Sequence, residues 1–461
     1  MMTNSVPDSV ADVKKGTDEK ELIHFIGIGG AGMGTLAQMY LEKGFLVQGS
    51  DQTDENNNVS RLQSLGVKTF IGHNAKNIQG ANCVVITSAI KDSNSELQAA
   101  KKLGIPVLHR SEALANLVNS TYLFAIAGSH GKTTTAAMLS HTLQELGIDC
   151  SYSFGAQILN DPRSATGGYI GKDNVSVIEA DESDKSFLNF TPTVSVILNI
   201  EPDHLDFYKS EKNFFASFCQ FAKSAKDAVI YCADDIEAKK FLEELDLKNL
   251  ISYGYSDDAD FHVSEFDMKL FGKHNFQNAA AVILAVKRLL PEISVEEIEK
   301  AIGTFPGTAR RFEFKGSKGS VRLFDDYAHL PTEIKATILS AKPLLEKNGK
   351  IKVLFQSHLF SRTKNFAKGF AEALQFADEV IVTDVYPARE EIDPSVTPDT
   401  ILQYITRDIP HYGVRDRIEA AKLLGQIADE NDILITIGAG DLNILDNVIF
   451  ENIELKNIGR D

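Results

Sequence analysis

The sequence predicts an α/β protein with three consecutive domains, and three observations support this fold class. The chain has 461 residues, too many for one ordinary hydrophobic core. Short apolar runs alternate with helical patterns, and two glycine-rich turns each follow an apolar run and open a helix. Apolar strands separated by helices predict parallel sheets covered on both faces. We expect a disordered tail over residues 1–20 and domains over 21–119, 120–308 and 309–461.

The composition excludes several classes of function. The net charge of −17 repels phosphate backbones, so we expect no nucleic-acid partner, although a helix end can still bind a small anion. No apolar run approaches the roughly 18 residues that span a bilayer, and residues 1–21 lack the apolar segment of a signal peptide. Four cysteines without metal-type spacing indicate reduced thiols. We therefore expect a cytoplasmic protein without membrane insertion.

The first domain begins with an apolar run over 23–28, a helical pattern over 31–43 and a second strand from Leu46. The connecting turn, Gly27–Gly32, satisfies G-x-G-x-x-G, and Asp51 follows 19 residues later. Glycines allow close backbone approach, and the helix N-terminus attracts a pyrophosphate. A Rossmann-like, nucleotide-binding domain is predicted. The motif alone does not distinguish a nicotinamide dinucleotide from a UDP-sugar.

The central domain begins with a strand over 123–127 and a helix over 134–146. The turn between them contains G-x-x-G-K-T, a shortened phosphate loop, since Ile126 stands where the usual pattern has its first glycine. Lys132 can reach the β and γ oxygens of a nucleotide, and the Thr133 hydroxyl can bind Mg²⁺. We therefore predict a P-loop ATPase-like domain.

Polar residues follow later strands of this domain. Glu179 ends an apolar run over 175–180, where a carboxylate near a phosphate loop serves Mg²⁺; the alternative is a solvated acidic loop. His204 follows the run over 194–200 and, taken alone, is more often structural. Asn275 is either a helix cap or a ligand-binding residue.

The third domain is predicted to be Rossmann-like, from strands over 321–324, 352–355, 380–383 and 433–437. Two charged pairs, Arg310-Arg311 and Asp325-Asp326, bracket its start. A salt bridge is the simplest interpretation of these pairs.

Together these segments resemble the Mur ligase family of peptidoglycan synthesis, which joins an amino acid or peptide to a UDP-muramyl carboxylate using ATP. The resemblance runs from about Ile23 to Leu445. The residues that recur across the family have counterparts here, in order: Lys132, Glu179, His204, Asn275, Asn278, Arg311 and Asp326.

The resemblance implies roles for three groups of residues. The UDP-sugar group is Gly29, Gly30, Ala31, Gly32, Asp51, His73 and Ser88. The ATP group is Gly128, Ser129, His130, Gly131, Lys132, Thr133, Thr134, Asn275, Asn278, Arg311 and Asp326. The catalytic residues are Lys132, Glu179 and His204; Thr133 and Glu179 would bind one Mg²⁺, and His204 would bind a second metal ion.

The third domain is expected to bind the amino acid through Tyr327, His329, His358 and Arg362. Compared with the family members that add L-alanine, Leu330 replaces a histidine and Leu359 an arginine. The loss of that arginine removes one cation for the alanine carboxylate, while Arg362 remains.

The substrates implied are UDP-N-acetylmuramate, L-alanine and ATP, joined through an acyl phosphate by a monomer or homodimer. The alternative within the family is the ligase that adds a tripeptide to the same UDP-sugar. A folate polyglutamate ligase lacks the first domain. A nicotinamide oxidoreductase would leave the phosphate loop without a role, and a nucleotide sensor would not need Lys132, Glu179 and His204 together.

Overall fold

The computed structural model describes residues 20–53, 57–388 and 390–454. The tail predicted over residues 1–20 therefore lies outside the described residues, apart from Lys20. The chain forms two compact units: the first contains two sheets and ends at Pro306, and the second contains a third sheet, begins at Gly307 and also includes Leu270–Gly272. The three sheets confirm the predicted α/β class, while the exact domain boundaries stay a prediction. Within the described residues, no helix combines the length and apolarity needed to cross a bilayer.

The first sheet contains five parallel strands in a doubly wound arrangement. Its strands are β1 (Leu22–Ile26), β2 (Leu46–Asp51), β3 (Lys68–Ile71), β4 (Cys83–Ile86) and β5 (Val107–His109). Its helices are α1 (Ala31–Glu42), α2 (Asn57–Ser64), α3 (Ser95–Leu103) and α4 (Arg110–Val118). The strand order is β3-β2-β1-β4-β5, so the direction of winding reverses between β1 and β4. Ligands of such sheets bind at the carboxyl ends of the strands beside this switch point.

The second sheet has eight strands in the order β13-β12-β11-β10-β6-β9-β7-β8. They are β6 (Tyr122–Ala127), β7 (Ser151–Ser153), β8 (Gly168–Tyr169), β9 (Val175–Glu179), β10 (Val194–Ile197), β11 (Ala228–Cys232), β12 (Leu250–Gly254) and β13 (Phe261–His262). The helices are α5 (Lys132–Glu145), α6 (Leu205–Tyr208), α7 (Glu211–Lys223), α8 (Ile236–Glu243), α9 (Lys273–Leu289) and α10 (Val295–Gly303). Strands β7 and β8 pair antiparallel, and the other pairs are parallel.

The third sheet has six strands in the order β14-β15-β19-β16-β17-β18. They are β14 (Glu313–Lys318), β15 (Val321–Asp326), β16 (Ile351–His358), β17 (Glu379–Tyr386), β18 (His411–Gly413) and β19 (Ile433–Ile437). The helices are α11 (Pro331–Ala341), α12 (Phe360–Leu374), α13 (Asp399–Leu402), α14 (Arg417–Gln426) and α15 (Asp446–Asn452). The edge strand β14 pairs antiparallel with β15, and the remaining pairs are parallel.

The hydrophobic cores show how the sheets are covered. One hydrophobic cluster extends through both sheets of the first unit, from Phe25 and Tyr40 to Phe187 and Phe221. In the third sheet, Val353 and Phe355 face one cluster and Leu354 faces another, so both faces are covered as predicted.

Two local predictions were wrong. Strand β10 ends at Ile197 rather than at residue 200, because the chain turns there to brace a neighbouring loop through Asn199. Helix α9 begins at Lys273, so Asn275 lies inside its first turn and is not the helix cap.

Candidate active site

The phosphate loop, Gly128–Thr133, connects β6 to α5 in the geometry that an anion requires. Gly128 has φ +141° and Gly131 has φ +83°, a region that favours glycine. A Cβ on Gly128 would lie 3.2 Å from the carbonyl oxygen of Asn199. Gly131 caps α5 without any side-chain hydrogen bond, so the first amides of the helix are available to phosphate oxygens.

The end of β10 braces this loop from the side. The His130 amide donates to Oδ1 of Asn199 at 2.8 Å, and Nδ2 of Asn199 donates back to the His130 carbonyl at 3.0 Å. Ser129 Oγ donates to the Glu201 carbonyl at 2.7 Å, and Nε2 of His130 lies 2.7 Å from the Glu201 carboxylate. Ser129 and His130, predicted to bind ATP, therefore also fix the shape of the loop.

Lys132 is the buried cation of the loop. Its Nζ donates to the Gly128 carbonyl at 2.6 Å and lies 2.9 Å from Oε2 of Glu182. The two side chains are only 13% and 4% exposed. Burial opposes the charge, but Glu182 and Glu179 outweigh it and raise the pKa of Lys132. The lysine is therefore charged and is held at the loop by a neighbouring carboxylate.

Thr133 and Glu179 form the oxygen pair predicted to bind a metal. The Thr133 hydroxyl donates to Oε2 of Glu179 at 2.9 Å, and the Gly155 amide donates to the same oxygen at 2.9 Å. His204, predicted to bind a second metal ion, has φ +53°, and its Nε2 lies 3.4 Å from Asp203. The structure thus brings Thr133 and Glu179 together, and it pairs His204 with Asp203.

The two asparagines of α9 lie beside the phosphate loop. Asn275 and Asn278 are 9% and 7% exposed, and Nδ2 of Asn278 donates to Oδ1 of Asn275 at 3.3 Å. A Cβ on Gly131 would lie 3.1 Å from Oδ1 of Asn278. These amides are close enough to the loop to contact a nucleotide bound there, and the adenine contact stays a prediction.

The first glycine loop, Gly27–Gly32, connects β1 to α1. The Gly29 amide donates to Oδ2 of Asp51 at 2.8 Å, and Oδ1 of Asp51 accepts the Gln52 amide at 2.8 Å. Asp51 therefore holds the loop. Gly30 precedes α1 without a side-chain cap, which leaves the helix N-terminus available to a diphosphate.

The first glycine loop and the end of β9 face a common cavity of about 250 Å³. The first domain contributes Gly32 and Arg110 to its lining, and the central domain contributes Glu179 and Asp181. A Cβ on Gly32 would lie 3.1 Å from Nη1 of Arg110. Burial opposes the ionisation of Asp181, but a hydrogen bond from the Ser183 amide and the charges of Lys132 and Arg110 lower its pKa.

Ser88, a predicted UDP-sugar residue, lies in a chain of polar contacts between the first two domains. Its Oγ lies 3.1 Å from Nε2 of His109 and donates to Oδ2 of Asp184 at 3.4 Å. Nδ1 of His109 lies 2.8 Å from Ser111 Oγ. The same oxygen accepts a hydrogen bond from the side-chain amide of Asn189 at 2.8 Å. His73, another predicted residue of this group, lies 3.0 Å from Ser50 Oγ.

In the second unit, Asp326 ends β15 and accepts the amides of Phe312 and Ala328, both at 2.7 Å. Burial raises the pKa of Asp326 to about 6 against the opposing charge of Arg311. The guanidinium of Arg311 lies 5.4 Å from the ring centre of Tyr327. The predicted salt bridge is present as Arg310–Asp325, at 3.2 Å.

The residues predicted to bind the amino acid lie at the carboxyl ends of β15 and β16, which flank β19. The rings of Tyr327 and His329 are 5.5 Å apart. Burial lowers the pKa of His329, and the charge of Arg362 contributes to this effect. His358 stacks on the Tyr386 ring at 5.8 Å. The structure therefore places these four residues at one edge of the sheet, and their contact with the amino acid stays a prediction.

The two positions that differ from the family members that add L-alanine are both apolar, and each precedes a helix. Leu330 precedes α11, and Leu359 precedes α12 with φ +73° and 9% exposure. Positive φ is uncommon for a leucine, so the backbone at Leu359 is strained. Its amide donates to the Tyr386 carbonyl at 3.0 Å, a bond that helps to hold this conformation.

Comparison with known proteins identifies the family. Models of the Mur ligase family match three consecutive segments of the chain. The catalytic-domain model matches residues 22–122, the middle-domain model matches 126–286, and the glutamate ligase domain model matches 310–440. A UDP-N-acetylmuramate–L-alanine ligase of Paenarthrobacter aurescens is 39% identical over 455 residues, covering 93% of this chain and 96% of its own length. The chain belongs to the Mur ligase family.

Further comparisons support the same family assignment for this Mur ligase. A UDP-N-acetylmuramate–L-alanine ligase of Bifidobacterium adolescentis is 40% identical, covering 94% of this chain and 92% of its own length. The crystal structure of the UDP-N-acetylmuramate–alanine ligase of Thermotoga maritima superposes with a TM-score of 0.76 at 28% identity, over 93% of this chain and 98% of that one. A murein peptide ligase of Psychrobacter arcticus, at 22% identity and a TM-score of 0.67, shares the fold.

Three residues of this Mur ligase site were not identified from the sequence. Arg110 is the first residue of α4 at the carboxyl end of β5, a position that could have indicated ligand contact. Glu182 lies in the acidic run after Glu179, for which the sequence predicts either Mg²⁺ binding or solvent exposure and not an ion pair with Lys132. Glu96 had no sequence signal, because its partners are distant along the chain.

Proposed function

We propose that this Mur ligase joins L-alanine to the carboxylate of UDP-N-acetylmuramate and converts ATP to ADP and phosphate, in peptidoglycan precursor synthesis. The observation that carries the proposal is the shared cavity, whose lining includes Gly32 of the first glycine loop and Glu179, the partner of Thr133. A ligand whose diphosphate lies at α1 can extend its carboxylate into this cavity. The named relatives cover nearly the whole chain. We place the reaction in the cytoplasm, in a monomer or homodimer.

The first step is a phosphoryl transfer. A carboxylate oxygen of the sugar attacks the γ-phosphorus, the bond to the β–γ bridging oxygen breaks, and ADP leaves with the electron pair. Two anions must approach each other, so the chief task of the protein is positioning and charge neutralisation. Lys132 supplies one positive charge when it exchanges Glu182 for the phosphate, and Arg110 supplies another from the first domain.

The residues present fit the Mg²⁺ that the family implies. Thr133 and Glu179 are oxygen donors of the type that Mg²⁺ prefers, and they lie 2.9 Å apart at the phosphate loop. We propose that both would bind the ion, with His204 at a second metal. When bound, Mg²⁺ neutralises charge on the transferring phosphate.

The second step forms the amide. The amine of L-alanine attacks the carbonyl carbon of the acyl phosphate, phosphate leaves with the bonding pair, and the nitrogen loses a proton. We propose that Arg362 binds the alanine carboxylate, as a bidentate guanidinium can, with Tyr327, His329 and His358 around it. Arg311 and Asp326 are proposed to contact ATP, together with Asn275 and Asn278.

Phosphate release tests this function. The protein is assayed with ATP, Mg²⁺ and UDP-N-acetylmuramate, and L-alanine, glycine, L-serine and the tripeptide are compared as acceptors. We expect the highest kcat/KM with L-alanine as the acceptor. Without the UDP-sugar we expect no phosphate release. If only the tripeptide supported turnover, the proposal would be contradicted, and the ligase that adds a tripeptide to the same UDP-sugar would be favoured.

A further inference from the structure

A buried carboxylate lies at the start of α3 in the first domain. Glu96 is 0% exposed, and its Oε2 accepts the Ser50 hydroxyl at 2.5 Å. Its Oε1 accepts the Asn77 side-chain amide at 2.5 Å and the Asn74 backbone amide at 3.3 Å. Burial opposes its ionisation, but the neighbouring His24, whose Nε2 lies 3.6 Å from Oε2, and the hydrogen bonds from Ser50 and Asn77 lower the pKa of Glu96 to about 2. The carboxylate is therefore a fixed anion and acts only as an acceptor.

This anion determines which nitrogen of His73 carries hydrogen. Nδ1 of His73 lies 3.0 Å from Ser50 Oγ and 3.2 Å from Oε2 of Glu96. Ser50 has a single hydroxyl hydrogen, and the short contact to Glu96 uses it. Both neighbours of Nδ1 then present lone pairs, so Nδ1 must donate. In the neutral ring, Nε2 is left with its lone pair as an acceptor.

The location of His73 suits the base of a nucleotide. Arg110 and Glu179 mark the cavity where the reacting carboxylate belongs. In the proposed complex the base would lie at the other end of the diphosphate, on the side of the α1 N-terminus away from this cavity. Strands β2 and β3 lie there in the sheet order, and His73 follows β3 with a side chain that is 19% exposed.

We propose that Glu96, acting with Ser50, is a positioning residue that fixes the Nδ1–H tautomer of His73, so that Nε2 accepts the N3–H group of uracil. The inference rests on the proposed function, because it takes the UDP-sugar as the ligand of the first domain. Cytosine has a lone pair at N3 and no hydrogen, so the same His73 opposes a cytidine nucleotide. The buried cluster thus supplies base specificity without touching the base.

The test compares the binding of UDP and CDP by calorimetry at mildly alkaline pH, above the pKa of a free imidazole. The wild-type protein should prefer UDP by about tenfold or more, which corresponds to ~1.4 kcal/mol. In Glu96→Gln the new amide can donate, which allows Nδ1 to accept and moves the hydrogen to Nε2. The UDP-to-CDP preference should then shift by about tenfold towards CDP. Asp92→Asn, the same change at a 90% exposed carboxylate of this domain, should leave the preference unchanged.

The outcomes separate the inference from the function on which it rests. Equal weakening of UDP and CDP in Glu96→Gln would assign Glu96 a merely structural role and contradict the inference. Failure of the wild-type protein to bind UDP would contradict the proposed function instead. If Glu96→Gln does not fold, ring ¹⁵N spectra of the wild-type protein still decide. His73 should show a pyrrole-type Nδ1 and a pyridine-type Nε2, and the reverse pattern would contradict the inference.

Discussion

The two glycine-rich loops of the first unit share a backbone design and differ in the charges around them. Both connect a strand to a helix that begins after a glycine without a side-chain cap. At the first glycine loop the nearby anion, Asp51, accepts a loop amide and holds the backbone. At the phosphate loop a buried lysine is held by Glu182. This contrast fits the proposed division of labour, in which binding a diphosphate uses backbone amides and transferring a phosphoryl group also uses a cation.

The largest expected effect is a loss of kcat when the buried lysine of the phosphate loop is replaced. Lys132→Ala should lower kcat by at least about 100- to 1,000-fold, as removal of a preorganised electrostatic group does. The Kd for UDP should stay unchanged, because the first glycine loop does not involve Lys132. Lys248→Ala, at an exposed position of the same domain, is the matched control. If affinity for UDP were lost as well, the division of labour between the loops would be wrong.

The next effect concerns the partner of the lysine. Glu182→Gln leaves a buried ammonium without its main counter-charge and should cost about 3 kcal/mol of unfolding free energy in the nucleotide-free protein. Asp51→Asn, at the first glycine loop, removes no counter-charge and should cost about 1 kcal/mol. Urea denaturation measures both values. Equal losses would show that Glu182 does not compensate Lys132.

The smallest expected effect is a difference in unfolding free energy between glycine substitutions in the two loops. Gly131 has φ +83°, so Gly131→Ala should lose about 1–2 kcal/mol of unfolding free energy. Gly30 has φ −59°, and its Cβ would meet the Gly27 carbonyl oxygen at an ordinary 3.4 Å. Gly30→Ala should therefore leave stability nearly unchanged in the same urea titration. A larger loss at Gly30 than at Gly131 would contradict the comparison.

The sequence predicted the parts of the fold that local patterns determine. Apolar runs followed by glycine turns located β1, α1, β6 and α5, because strand and helix periodicities change at those turns. The edge strands β8 and β14 were not predicted, since Gly168–Tyr169 is short and Glu313–Lys318 is largely polar. The early end of β10 was missed because Leu198 and Ile200 continue the apolar run outside the strand.

Contacts in the candidate site were predictable where the residues lie within motifs. Thr133 and Glu179 meet as expected from the carboxyl ends of neighbouring parallel strands. Arg110 meets Gly32, and Ser50 meets Glu96, only through the tertiary fold. Such contacts join segments dozens of residues apart, and neither spacing nor composition reveals them.

Oxygen transfer tests most directly the claim that a carboxylate presented by the first domain attacks the phosphate held at Lys132. UDP-N-acetylmuramate labelled with ¹⁸O in its carboxylate is turned over with ATP and L-alanine, and the released phosphate is analysed by mass spectrometry. An acyl phosphate predicts that each phosphate released from fully labelled substrate carries one ¹⁸O from the sugar. Unlabelled phosphate, formed together with the amide product, would contradict the account.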